Sequence, residues 1–454
     1  MEFTKEYFLN CVERTLRYSK TFIKWLICSV IIGATCGAVG SLFHYGVEYV
    51  TDFREANNWI IAFLPLSGLL IVFIYRISGI KHDKGTNLVI GSIRSPEDRI
   101  PFKVAPLIFI ATIITHLFGG SAGREGAALQ IGGGIGASIG KLLHLDENDK
   151  HIIILCGMSA VFAALFGTPI TAALFSMEVI SIGVLYYSAI VPCILSSTIA
   201  FAITERFDIT PTAFVLHQVP DMNLITGIRV IVLAICCAIL SIIFVMAMQV
   251  STKLFKKIKS QYIRIFTGGL ILVVLTFIIQ NTRYNGAGMS VITAAIHGDA
   301  LPYDFILKLL FTCITIACGF RGGEIVPSFF IGATFGCFVG GLLGLDPGFG
   351  AAIGLVCLFC GVVNCPLTSI ILSIELFGAS GIIYFAIGCG VSYMLSGYYS
   401  LYSEQKIIYS KLRPHYVNLY TNQEVKTASH EELHEETHKK DASHKDDASE
   451  NISD

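Results

Sequence analysis

The chain has 454 residues, 54% of them hydrophobic and only 14% charged, with 43 glycines, a mean hydropathy of +0.68 and a formal net charge of −1. A soluble domain with an ordinary polar surface does not carry that composition, and nothing in the charge balance calls for a nucleic-acid partner. The composition is that of a polytopic membrane protein.

The first twenty residues, MEFTKEYFLNCVERTLRYSK, are amphipathic and charged and lack the short apolar core of a cleavable signal, so 1–21 is expected to be an N-terminal lead. Apolar runs follow near 22–48, 58–79, 104–118, 151–204, 223–250, 265–280, 303–319 and 325–399. They divide into ten or more spans, each needing about 20 residues to cross fully. Several pieces are shorter and interrupted by Gly or Pro, the pattern of helices that stop part-way across where broken backbone lines a pathway. The fourteen cysteines are scattered through these runs without ligand-like spacing and are expected to be small buried hydrophobes, with no metal site.

Between 119 and 140 the chain reads GGSAGREGAALQIGGGIGASIG, setting Arg124 and Glu125 among glycines inside an apolar region. An ionisable pair at that depth is costly and marks an ion or proton path. The glycines let backbone N–H groups of Gly123 and Gly126 face a small anion, and a helix starting there adds its dipole. Glu125 is therefore expected to gate an anion site, the alternative being a salt bridge to Arg124 that merely holds the loop.

Further along, the pattern recurs. ALQIGGGIGASIGKLLHLD (128–146) lies over SFFIGATFGCFVGGLLGLD (328–346) at an offset of 200, and PITAALFSME (169–178) over PLTSIILSIE (366–375) at 197. Two halves are expected, 22–204 and 225–402, joined by a linker at 205–224. The basic lead (Arg14, Arg17, Lys20, Lys24) points to a cytoplasmic N-terminus. The loop at 51–58 has little positive excess, whereas its counterpart at 251–264 holds Lys253, Lys256, Lys257, Lys259 and Arg264; KHDKG (81–85) and NTRYNG (281–286) reverse that contrast. The expected fold is all-α, with two inverted-topology repeats and broken helices meeting at a midplane anion site.

The second-half counterpart of the GREGA loop, GFRGGEIVP (319–327), brings Arg321 and a second carboxylate, Glu324, with Ile325 and Val326 offering N–H groups at a helix start. Burial and a nearby anion both favour a protonated carboxyl, so anion entry and proton uptake are expected to be linked. Pro169 and Pro366 suit first helical positions. Glu178 and Glu375, near the far ends of those helices, are expected to be structural, capping a neighbour or reaching water, since both halves carry one; the alternative is a proton relay. On residue physics alone Tyr402, ending the last apolar run, reads as an interface anchor. Segment 403–420 is a short post-membrane piece, and the tail 421–454, with ten acidic and four basic side chains and His430, His434, His438 and His444, is expected to be a disordered, solvated extension.

GREGAALQIGGGIG (123–136), GTPITAALFSME (167–178), GGEIVPSFFIGATFG (322–336), NCPLTSIILSIEL (364–376) and SLYSEQK (400–406) together resemble the CLC family of anion channels and proton-coupled antiporters, over the whole chain to about 420. The resemblance implies a homodimer with a pathway in each subunit, Glu125 as the gating glutamate, and Tyr402 as an anion-coordinating tyrosine. Departures narrow it. The family's GSGIP is replaced by GTNLV (85–89), placing Thr86 and Asn87 near the lost filter serine; GIFAP becomes GEIVP (323–327), GREGP becomes GREGA, and Val179 stands where chloride members often carry an internal proton glutamate. That combination resembles the bacterial fluoride branch. It implies a fluoride/proton antiporter, not an enzyme and without cofactor, in the inner membrane with both termini cytoplasmic. The rival readings are a chloride/proton antiporter or passive channel and, from another class, a membrane scaffold or sensor acting through its tail.

Overall fold

The structure is a computed structural model that describes residues 2–80, 84–94, 100–413 and 415–422, apart from the side chains of 2–6 and 9. The first three residues of the basic turn KHDKG and the acidic tail from 423 with its histidines lie outside the described residues. Eight α-helices make up the first half: α1 (Glu2–Ala56), α2 (Leu64–Ile77), α3 (Thr86–Arg94), α4 (Val104–Leu117), α5 (Glu125–Leu142), α6 (Glu147–Phe166), α7 (Pro169–Glu178) and α8 (Ile190–Arg206). Eight more follow in the same order: α9 (Leu224–Lys256), α10 (Gln261–Ile279), α11 (Met289–Ile296), α12 (Asp304–Cys318), α13 (Ile325–Leu342), α14 (Pro347–Val363), α15 (Pro366–Phe377) and α16 (Ile382–Leu395). Seven helices among the described residues are long and apolar enough to cross a membrane by length and composition, and four further apolar helices are shorter. α1 is unbroken, so the lead at 1–21 continues into the first span, and the stretch from Thr51 expected as a loop is helical as far as Ala56.

The same few residues set the helix boundaries in both halves. α6 opens on Asp146, whose carboxylate accepts the Asp149 N–H at 2.8 Å, and α14 opens on Asp346, which accepts the Phe349 N–H at 2.9 Å. Each satisfies an N–H that would otherwise be orphaned at a helix start. α6 stops at Gly167 and α14 at Asn364, both in the left-handed region, and the prolines two residues later start α7 and α15.

Packing within each half rests on glycines four residues apart. A Cβ on Gly132 would lie 2.1 Å from the Gly157 carbonyl oxygen, and one on Gly332 2.5 Å from that of Gly354. Such close backbone approach is how helices associate where lipid supplies little hydrophobic drive. The outer faces carry exposed apolar side chains such as Leu70, Phe73, Ile239 and Phe277. All fourteen cysteines are free and twelve are buried.

Contacts between the halves are reciprocal. Glu178, the last residue of α7, accepts the Leu367 and Thr368 N–H groups at 3.1 and 2.8 Å at the start of α15; Glu375, near the end of α15, accepts those of Ile170 and Thr171 at 3.0 and 2.8 Å at the start of α7. α7 and α15 thus run antiparallel, and equivalent helices pointing opposite ways are what inverted repeats require. Carboxylates on helix N-termini complement the macrodipole, so both glutamates are caps.

A small sheet departs from the expected all-α fold. β1 (Ser181–Ile182), just after α7, pairs in parallel with β2 (Lys406–Tyr409), which pairs antiparallel with β3 (Tyr416–Tyr420). It ties the post-membrane segment to the first half.

Candidate anion site at two helix starts

α4 and α12 end short of the loops that lead into α5 and α13, and Gly119 and Gly319, at φ of +83° and +117°, turn the chain there. Backbone exposed at that depth needs partners. The halves supply them to one another: Gly123 N–H donates to the Gly323 carbonyl and Gly323 N–H to that of Gly123, both at 2.8 Å. Ser121 N–H donates to Thr315 Oγ1 at 3.1 Å, and Arg321 N–H to Thr115 Oγ1 at 3.2 Å.

Within this bridge lies the Glu125 carboxylate, fully buried. Glu125 opens α5, yet its Oε1 accepts the Val326 N–H at 2.9 Å, in the first turn of the other half's helix α13. A Cβ on Gly123 would come within 2.0 Å of Oε2 and one on Gly323 within 2.4 Å of Oε1. Only two glycines leave room for this carboxylate. It occupies the place on a helix N-terminus where a free anion binds. Oε2 has no hydrogen-bond partner among the described residues, and neither does the buried Tyr402 hydroxyl, which lies within electrostatic reach of Glu125 and Glu324.

The remaining expected site residues divide into two groups. Ile325 and Val326 are buried at the start of α13, and Gly126 sits against Gly322 and Gly323, where an added Cβ would lie 3.0 Å from the Gly322 carbonyl oxygen. Thr86, first residue of α3, places its Oγ1 3.4 Å from the Gly126 carbonyl oxygen. Glu324 is half-buried at the cap of α13, close enough to Glu125 for the two carboxylates to repel. These residues surround one point. Asn87 Oδ1 accepts the Glu404 N–H at 3.1 Å, which fixes the carboxamide and leaves its Nδ2, the end that would meet an anion, out of that bond; Arg124 is engaged elsewhere, bonding His44 Nδ1 and the Leu165 carbonyl, both at 3.1 Å. Among the described residues Arg124 forms no ion pair with Glu125, so the salt-bridge alternative is not realised.

The Tyr402 turn is held from several sides. Its N–H donates to Ser400 Oγ at 3.1 Å, its carbonyl accepts from Thr421 Oγ1 at 2.7 Å, and Arg94 at the end of α3 bonds the Glu404 carbonyl. Three buried ionisable residues near the gate went unmarked in the sequence. His116 Nε2 sits 3.3 Å from the Gly123 carbonyl oxygen, Arg54 donates to the His116 carbonyl at 2.9 Å, and Lys308 Nζ donates to the Gly286 carbonyl at 2.6 Å. Charge inside an apolar segment is as costly at these residues as at Glu125. Among the described residues no cluster of three or more His, Cys, Asp or Glu side chains is placed to hold a metal ion.

The arrangement can hold one small anion on the α13 N-terminus and exchange it for a carboxylate that takes a proton when displaced. Comparison with known proteins is consistent with that chemistry. A family model described as voltage gated chloride channel matches residues 67–397. A chloride/fluoride channel protein of Pseudomonas syringae pv. tomato is 33% identical over 395 residues, 86% of this chain and 87% of the relative. A solved CLC-type fluoride/proton antiporter superposes with a TM-score of 0.82 at 32% identity, covering 85% of this chain and 98% of that one. A slow cyanobacterial Cl−/H+ antiporter, at 19% identity and a TM-score of 0.71 over 82% and 94% of the two chains, shares the fold.

Proposed function

The chain belongs to the voltage gated chloride channel family, and from that premise we propose that it is a proton-coupled antiporter exporting cytoplasmic fluoride, with Glu125 as its proton-carrying gate. The observation that carries the reading is the Glu125 carboxylate on the α13 N-terminus, one oxygen bonded to Val326 N–H and the other without a hydrogen-bond partner among the described residues, within electrostatic reach of Tyr402. A carboxylate held so is a tethered anion. Protonation removes its charge, the helix N-terminus no longer favours it, and a fluoride ion takes its place. Fluoride is small and strongly hydrated, so its site must replace water with close donors. The N–H groups of Ile325 and Val326, the Tyr402 and Thr86 hydroxyls and a protonated Glu324 are such donors. When Glu125 returns it releases its proton and expels the ion, so one swing exchanges one species for the other.

Gly123, Gly126 and Gly323 give backbone access to this point, Arg124 holds the surrounding loop rather than the ion, and Asn87, its oxygen held by the Glu404 N–H, offers its Nδ2 as a further donor. The pathway is formed by the repeats 22–204 and 225–402. The protein acts as a homodimer in the inner membrane, with both termini in the cytoplasm, the side on which the basic lead and the post-membrane segment lie.

Purified protein in liposomes, assayed with fluoride and chloride electrodes, tests this directly. Fluoride efflux much faster than chloride efflux is the expected result. Chloride moving as fast as fluoride would transfer the reading to a chloride antiporter or channel.

A further inference from the structure

Lys411 lies in the post-membrane segment, nine residues beyond Tyr402, and its ammonium is turned into the protein. It bonds Asn364 Oδ1, Ser396 Oγ at 3.0 Å and the Tyr393 carbonyl at 3.1 Å, and sits 4.6 Å from the centre of the Tyr393 ring. No carboxylate is among its hydrogen-bond partners among the described residues. Asn364 is the left-handed residue that ends α14, and it passes the contact inward. Its Nδ2 donates to Gln405 Oε1 at 3.3 Å, Ser400 Oγ donates to the same oxygen at 2.8 Å, and Ser400 Oγ accepts the Tyr402 N–H at 3.1 Å. Asn364, Ser400 and Gln405 are all at most 1% exposed. An unbroken line of buried hydrogen bonds therefore runs from a lysine at the protein's edge to the backbone of the site tyrosine.

We propose that Lys411 is a positioning residue for transport, setting the place of Tyr402 at the anion site through Asn364, Gln405 and Ser400. The proposal rests on the reading of Tyr402 as an anion donor. A charged donor holds Asn364 Oδ1 more firmly than a neutral one and so fixes the carboxamide that meets Gln405 Oε1; because Asn364 Nδ2 and Ser400 Oγ both donate to that oxygen, what passes along the line is position rather than polarisation. Burial pulls the Lys411 ammonium from its ordinary 10.5 down to about 7. The titratable groups facing it are Cys360 from α14, Tyr393 from α16 and Cys365 just before α15; Tyr398 bonds the adjacent Ser410 hydroxyl, and Glu178 lies behind the cysteines. Below about 7 the ammonium is charged and the line is taut; above it the charge is lost. Acidification of the side on which Lys411 lies thus tightens the hold on Tyr402.

The test is the KM of the transported halide in liposomes at about pH 6 and about pH 8, a unit either side of the transition. Lys411→Arg keeps its charge throughout and should match wild type at the lower pH but show a KM about fivefold lower than wild type at the higher one. Lys411→Met should match wild type at the higher pH and show a KM about fivefold above it at the lower. Gln405→Leu, which leaves Lys411 in place but cuts the line, should lose the same pH-dependent step while eluting as a folded protein. Variants that track wild type at both pH values, or lose rate equally at both, would overturn the proposal, as would a pH step surviving in Gln405→Leu. The halide carried by wild type decides separately whether the fluoride reading stands.

Discussion

The starts of α5 and α13 share a backbone and differ in their side chains. At both, a turn glycine, a threonine-bonded N–H and a bridging glycine occupy positions 200 residues apart, and each half's bonds are returned by the other. The acids do not correspond. Arg124 caps α5 and Glu125 is its first helical residue, whereas Glu324 caps α13 and Ile325 follows. One residue of difference sends Glu125 across the interface onto the other helix and leaves Glu324 at the edge of the same point. A symmetric scaffold supplies two helix N-termini, and the shift lets one carboxylate occupy the site while the second stands beside it. Glu178 and Glu375 make the opposite case, since equivalent positions there perform equivalent capping.

That contrast can be broken at several places. Gly323→Ala should have a large effect: a Cβ 2.4 Å from Oε1 denies Glu125 its seat, and fluoride exchange should fall about tenfold or more, read as initial efflux from liposomes. Tyr402→Phe removes a hydroxyl that has no hydrogen-bond partner among the described residues and should raise the KM for fluoride about tenfold, leaving the protein's melting temperature unchanged. Glu324→Gln should slow exchange several-fold and loosen the ratio of protons to fluoride; an unaltered rate and ratio would make Glu324 a structural cap. The smallest functional change belongs to the reciprocal pair. Glu178→Gln and Glu375→Gln should each lower stability by about 1–2 kcal/mol, seen as a lower melting temperature in detergent, with coupling intact. A loss of coupling in either would show that the caps also carry protons.

What the sequence disclosed was local or repeated. Glycines around a buried acid, prolines at helix starts and a long-range self-match each state their physics within a few residues, and they located Glu125, the α13 N-terminus and the inverted pair of halves. What stayed hidden depends on partners far along the chain. That Asn87 is oriented by Glu404, 317 residues away, whose N–H holds its carboxamide oxygen, is one such case. The offset of 200 sets Glu324 over Arg124 and Ile325 over Glu125, but only the fold shows that this one-position difference carries Glu125 onto the other half's helix. Arg124 beside Glu125 suggests a pair, but consecutive residues at a helix start point in different directions, and the guanidinium finds His44 and Leu165. The sheet joining 181–182 to the post-membrane segment leaves no periodic trace because its strands are two to five residues long.

The central claim is that one carboxylate, Glu125, exchanges its proton for fluoride on the α13 N-terminus. Its most direct test is to impose an outward fluoride gradient on liposomes and follow internal pH, with wild type and Glu125→Gln side by side. The account predicts that fluoride efflux through wild type drives protons inward and acidifies the interior, while in Glu125→Gln fluoride movement slows or changes and no proton moves with it. Unchanged coupled transport by Glu125→Gln would contradict the account and remove Glu125 from the mechanism.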